Sequence, residues 1–176
     1  MKQISIIFLL ISLITASLFA KVLISPIDAM KENYSQNAKI TKKTIKLTDS
    51  LFHKIQKEAQ TKLKTRTYTL YIAKEKGKIL GYGILINKKV RSKNAVIIYL
   101  ISDGVLKGIE IIAFNEPQEY LPNKTWQSQF KNQKTDKMLE LDKEIPTITG
   151  ATLSARSVVE SSRIAFAIYN QIIEGK

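Results

Sequence analysis

The 176-residue sequence contains no cysteine and a single histidine, His53. Without thiols there can be no disulfide, no cysteine-ligated zinc, no iron–sulfur cluster and no C-x-x-C-H haem attachment. Redox chemistry on this chain therefore needs an organic cofactor. His53 stands among Phe52, Lys54 and Lys57 in a helical pattern, which reads as a surface or boundary position rather than a catalytic one. A G-x-S-x-G elbow, a Walker loop and a dinucleotide fingerprint are all missing. No catalytic residues and no metal ligands are expected. Arginine is scarce too, with only Arg66, Arg91, Arg156 and Arg163, so the net charge of +13 is a lysine effect. The lysines are scattered and not interleaved with stacking aromatics, which argues against nucleic acid as a partner. Most are solvated surface. Their sharper consequence is salt-dependent attraction to an anionic membrane surface or to an acidic redox partner.

A long apolar run is present, at the N-terminus. Lys2 supplies a positive start, and Ile4 through Phe19 is almost entirely apolar. Residues 1–20 read as a signal peptide or N-terminal membrane anchor. Ala20 is one cleavage position, with Leu18 a poor fit upstream of it, and Thr15-Ala16-Ser17 is the alternative. The run is at the short end for a membrane span, so without cleavage it serves as an anchor. Either way the chain is expected to be exported, to the periplasm or the extracytoplasmic face of the inner membrane. The remainder suffices for one domain with a real core.

Residues 21–47 form a lead-in helix and an edge segment. Ser25-Pro26-Ile27-Asp28 is a helix start running to about Tyr34, and residues 39–47 alternate weakly as a lysine-guarded edge strand. From Thr48 the spacing of Leu51, Phe52, Ile55, Ala59 and Leu63 predicts a helix of about four turns. The period then becomes two. Strands are expected over 67–73, 79–87, 95–102 and 105–114, joined by Lys76-Gly77, a looser Asn87-Lys88-Lys89 loop and an Asp103-Gly104 hairpin. Gly81 and Gly83 signal sheet curvature or close approach by another group. Residues 116–122, bounded by prolines, form a loop. A short helix follows with Trp126 and Phe130 on one face. The last helix runs from about Leu153 to Ile173, burying Ala155, Val158, Val159, Ser162, Phe166, Tyr169 and Ile173, with Arg156, Glu160 and Arg163 on its wet face. The expected fold class is α+β, a curved antiparallel sheet of four to five strands flanked by N- and C-terminal helices.

Before that last helix stands Pro146-Thr147-Ile148-Thr149-Gly150-Ala151-Thr152-Leu153-Ser154. A hydroxyl-bearing turn on a helix N-terminus suits a phosphate, because unpaired N–H groups and the positive end of the helix dipole point there. The bland reading is a plain helix start capped by Thr149 or Thr152. The stretch resembles the T/S-G-A-T site of FMN-binding domains in extracytoplasmic electron carriers, such as the G subunit of Rnf complexes and the C subunit of sodium-translocating NADH:quinone reductase. Ser102-Asp103-Gly104, then Phe114-Asn115-Glu116-Pro117 and Trp126, resemble a second block of that family, so the likeness covers residues 48–176. It implies FMN joined covalently to Thr152 by a phosphoester, installed by a flavin transferase. It also implies electron exchange with a membrane or soluble redox partner, a quinone- or cytochrome-linked reductase, and places Glu116 near the cofactor. One departure stands out. The family carries an acidic residue six positions before the modified Thr, where this chain has Pro146; Asp142 and Glu144 lie nearby but out of register.

The residue types suit that chemistry. A Thr phosphoester is independent of thiol redox state, and a covalent link prevents loss of an exported cofactor. Gly150 permits positive φ, Ala151 leaves room, and Thr149 and Ser154 offer hydroxyl donors. Leu153 completes the site, and Arg156 is either a charge partner for phosphate or a surface residue paired with Glu160. Two alternatives remain: a non-redox basic binding module for an anionic lipid, polymer or protein, and the flavin subunit of an exported reductase.

Overall fold

β-Branched and aromatic residues dominate the stretch from Thr67 to Phe114, and it folds as four consecutive antiparallel strands. A computed structural model describes residues 22–175; the expected signal or anchor, residues 1–20, lies outside them. The strands are β2 (Thr67–Glu75), β3 (Lys78–Lys89), β4 (Asn94–Ser102) and β5 (Val105–Phe114), with β1 (Lys39–Lys46) added at one edge. The sheet is a meander in the order β1-β2-β3-β4-β5. Asp103 and Gly104 both take positive φ, 52° and 71°, as a two-residue hairpin requires. Register shifts at Ala73/Lys74, Val96/Ile97 and Leu100/Ile101 interrupt the ladders, and such bulges bend and twist the strands that carry them.

Helices cover both faces. α1 (Pro26–Asn33) starts at Ser25, whose hydroxyl accepts from the Asp28 N–H. It packs on a small cluster of Met30, Tyr71, Ala73, Ile98, Leu100 and Ile112. On the other face lie α2 (Asp49–Ala59) and the C-terminal α4 (Thr152–Ile168), over a core that includes Ile84, Ile97, Tyr99 and Phe166; the short α3 (Lys124–Gln127) comes between them in the chain. Fully burying an aliphatic or Phe side chain stabilises by about 1.5–3 kcal/mol, so this layer dominates cohesion. The Tyr99 hydroxyl donates to the Val158 carbonyl at 2.7 Å, fixing α4 to the middle of the sheet. Burial pushes the Tyr99 phenol well above its ordinary range.

Three boundaries differ from the sequence reading. α2 stops at Ala59, one turn early, because Gln60 turns left-handed (φ 47°). Leu63 is buried all the same, its N–H held by the Gln56 side chain at 3.1 Å. Asn87, Lys88 and Lys89 are strand rather than loop, paired with Val96, Ala95 and Asn94. The turn falls instead at residues 90–93, closed by Val90 N–H to Lys93 carbonyl at 2.9 Å. The final helix changes to a wider π turn over Tyr169–Ile173.

Gly81 and Gly83 have a clear neighbour. A Cβ on Gly81 would lie 2.4 Å from the Tyr34 ring, and one on Gly83 would lie 2.5 Å from the Met30 sulfur. The approaching group is therefore the end of α1. Among the described residues no helix is long and apolar enough to cross a membrane.

Candidate functional site

Gly150 adopts φ +80° with no atom within 4 Å of the space a Cβ would fill. It is needed for backbone conformation, not for clearance. The Ala151 N–H donates to the Ile148 carbonyl at 3.0 Å, closing a turn whose third residue is Gly150. That is the position where a type II turn requires positive φ. The turn delivers the chain directly into α4.

No side chain caps this helix. The N-cap residue is Ala151, so neither Thr149 nor Thr152 serves as the cap that a plain helix start would use. The first N–H groups of α4 are left for solvent or a ligand, at the positive end of a 17-residue helix. Thr152, its first residue, is exposed, and its hydroxyl makes only a long 3.5 Å contact to the Ile148 carbonyl.

Thr152 stands between two clefts. The first, of about 200 Å³, is mainly apolar and is formed by Gly150 through Ser154 facing Val90, Arg91, Glu116 and Tyr120. It is smaller than the roughly 300–1,000 Å³ typical of pockets that enclose a small ligand, so a ring seated there keeps part of its surface in solvent. Leu153 lines it and is 45% exposed. The second cleft, about 530 Å³, is polar and brings Thr152 beside Arg156, Thr147, Asp142 and Arg163. Arg156 is exposed and forms no ion pair among the described residues. Its expected pairing with Glu160 does not occur, because Glu160 pairs with Lys88 of β3. Arg163 is not on the wet face either; it is half-buried, donating to the Thr61 hydroxyl at 3.1 Å.

Glu116 lines the apolar cleft but is only 5% exposed. One carboxylate oxygen accepts from the backbone N–H groups of Arg91, Ser92 and Lys93 at 3.0, 2.6 and 2.7 Å. These bonds, that from Lys93 foremost, hold its carboxyl below the usual carboxylate range against the opposing effect of burial. Glu116 therefore shapes the wall of the cleft by pinning the 90–93 turn. Trp126 anchors the segment that leads into the Gly150 turn. Its indole N–H donates to the Pro146 carbonyl at 2.7 Å while its ring meets Phe130 edge-on.

Of the residues expected at the site, Gly150, Ala151, Thr152, Leu153, Ser154 and Glu116 meet at the apolar cleft, and Arg156 meets Thr152 at the polar one. Thr149 is exposed and lines neither. Sequence reasoning missed Val90 and Arg91, since nothing local ties a turn at 90–93 to a carboxylate 23–25 residues later. Tyr120 lies in the 116–122 loop, in which the resemblance placed Glu116 near the cofactor. Near Pro146, Asp142 accepts from the Thr147 N–H at 3.2 Å and reaches the polar cleft, whereas Glu144 is turned to the Glu140 N–H at 3.0 Å. Among the described residues no three His, Asp or Glu side chains converge as a metal site.

Residues 64–167 match the model of a family described as the FMN-binding domain. No curated protein matches the chain.

Proposed function

The chain belongs to the FMN-binding domain family, with FMN as its cofactor, and from that premise we propose an exported electron carrier that holds FMN through a phosphoester on Thr152. The observation that carries the attachment is Thr152 itself. Its exposed hydroxyl lies at an uncapped helix start, on the seam of an apolar and a polar cleft. FMN has the same two-part character, an apolar ring system and a dianionic phosphate. The ring suits Leu153, Val90 and Tyr120, and the phosphate suits the α4 N–H groups and Arg156. When bound, FMN supplies the electron transfer. The residues bind and orient it; Glu116 holds the 90–93 turn in place, and Trp126 anchors the segment entering the Gly150 turn.

The finer reading is a protein of the Rnf G or reductase C subunit type. It is matured by a flavin transferase on the extracytoplasmic side and exchanges electrons with a quinone- or cytochrome-linked partner. The apolar residues 1–20 support export, and the family's cofactor weighs against a non-redox binding module. Expression with a flavin transferase, followed by denaturing electrophoresis, tests the attachment. Wild type should give a fluorescent flavin band and Thr152→Ala a dark one. A dark wild type sinks covalent attachment, and a glowing Thr152→Ala moves it to another residue.

A further inference from the structure

A third cleft, of about 290 Å³, opens where the loop after α2 passes the end of β3 and the side of α4. Lys62, Lys64, Lys88 and Lys89 line it, and the carboxylate among its residues, Glu160, is engaged by Lys88. Lys62, Lys64 and Lys89 are exposed and form no ion pair among the described residues. Four ammonium groups against one carboxylate leave a local excess of three positive charges in a recess. Its floor includes the apolar bodies of Tyr68, Ile86 and Ile164.

This recess joins the flavin site. Glu160 borders both it and the polar cleft, and Thr152 borders both the polar and the apolar clefts. Glu160 lies eight residues along α4 from Thr152, about 12 Å. On the other side Lys89, the last residue of β3, stands two residues before Arg91, a lining residue of the apolar cleft. Positive charge is thus focused beside the place where electrons would enter or leave.

We propose that this lysine-lined recess is the docking point for an acidic protein, the redox partner of the carrier. The proposal rests on the electron-carrier reading for the partner's role. Concavity decides between anionic partners. A bilayer presents a flat array of headgroups, which exposed lysines on any convex face would meet equally well. A recess with a cationic rim and an apolar floor instead accepts protruding Asp or Glu side chains, carboxylates at the rim and methylenes below.

The probe is a fluorescein-labelled decaglutamate peptide, with anisotropy read on the full flavin-loaded protein across a salt series. Vesicles of phosphatidylglycerol and phosphatidylcholine serve as the lipid arm. One variant combines Lys62→Gln, Lys64→Gln and Lys89→Gln. Its equal-charge control combines Lys39→Gln, Lys74→Gln and Lys78→Gln, three exposed lysines at the opposite end of the sheet. The recess variant should weaken peptide binding about tenfold and flatten its salt dependence, while the control changes it less than about twofold. Equal losses in both variants, or no peptide binding by wild type, overturn the proposal. A recess variant that loses vesicle binding but keeps the peptide overturns it in favour of lipid. Flavin absorbance is recorded on the same samples. A colourless wild type that still binds through the recess sinks the carrier reading and leaves the docking point standing.

Discussion

At the scale of single residues, the site depends on small features with large local consequences. Gly150 supplies a backbone angle, Ala151 fails to cap, and the helix start is left open for a ligand. Glu116 shows a function that sequence does not disclose. It reads as a polar residue next to the cofactor, yet its carboxylate is spent on three backbone N–H groups of another loop. Because those bonds lower its folded-state pKa, Glu116 contributes stability above the ordinary carboxylate pKa. That contribution is lost as pH falls through the lowered folded value. Glu116→Gln should therefore destabilise the protein at neutral pH by roughly 1–3 kcal/mol, the loss of charge-assisted hydrogen bonds to the 91–93 N–H groups. In urea titrations the gap between variant and wild type should narrow once the pH drops below about 4. A gap that stays constant from neutral to acid pH would mean the ionised carboxylate is not what holds the turn.

At the scale of elements, most of the architecture was legible, since helix and strand periods are written in the apolar positions. The strands from Thr67 onward, the Asp103-Gly104 hairpin and the Ser25 cap all follow from local chemistry. What was illegible depended on distant partners. Asn87, Lys88 and Lys89 are poor strand formers, but the ladder to β4 carries them, a tertiary effect overriding propensity. Leu63 keeps the helical spacing of α2 and is buried from a loop instead. Glu160 is four residues from Arg156, an ordinary helix pairing, but Lys88 on the sheet takes it. The glycines of β3 were legible as a close approach, though not as to which group approaches. The Tyr34 hydroxyl lies 3.0 Å from the carbonyls of both Tyr82 and Ile101, its single proton shared between them, so its ring is held in place above Gly81. Gly81→Ala should then cost about 1–3 kcal/mol by overpacking. Combined with Tyr34→Ala, most of that added cost should vanish, giving a coupling of about 1 kcal/mol or more in a double-mutant cycle read by urea denaturation. Additive losses would show that the ring does not limit the site.

At the scale of the whole molecule, the candidate site gathers at the N-terminal end of α4, and the first described residues run beside β5. Val22 bridges to Ala113 and the Leu23 N–H donates to the Ile112 carbonyl at 2.8 Å, so the chain enters along β5, the edge strand that leads to Glu116. Neither expected cleavage position, near Ser17 or after Ala20, removes a residue that makes these contacts. On the exported-carrier reading, processing near residues 17–20 and flavin attachment at Thr152 are separate events, and processing leaves the described contacts intact. Intact-mass measurement of the exported protein reports both events at once. The expected mass is that of the chain, shortened at one of those positions or kept whole as an anchored form, plus one FMN less the water lost in forming the phosphoester. Shortened and whole forms should melt at the same temperature once flavin content is matched, because either cleavage leaves every described contact from Val22 onward intact. A shortened form that melts lower would show that residues before Val22 contribute to stability. A mass without FMN, from cells carrying an active flavin transferase, would remove Thr152 from the mechanism.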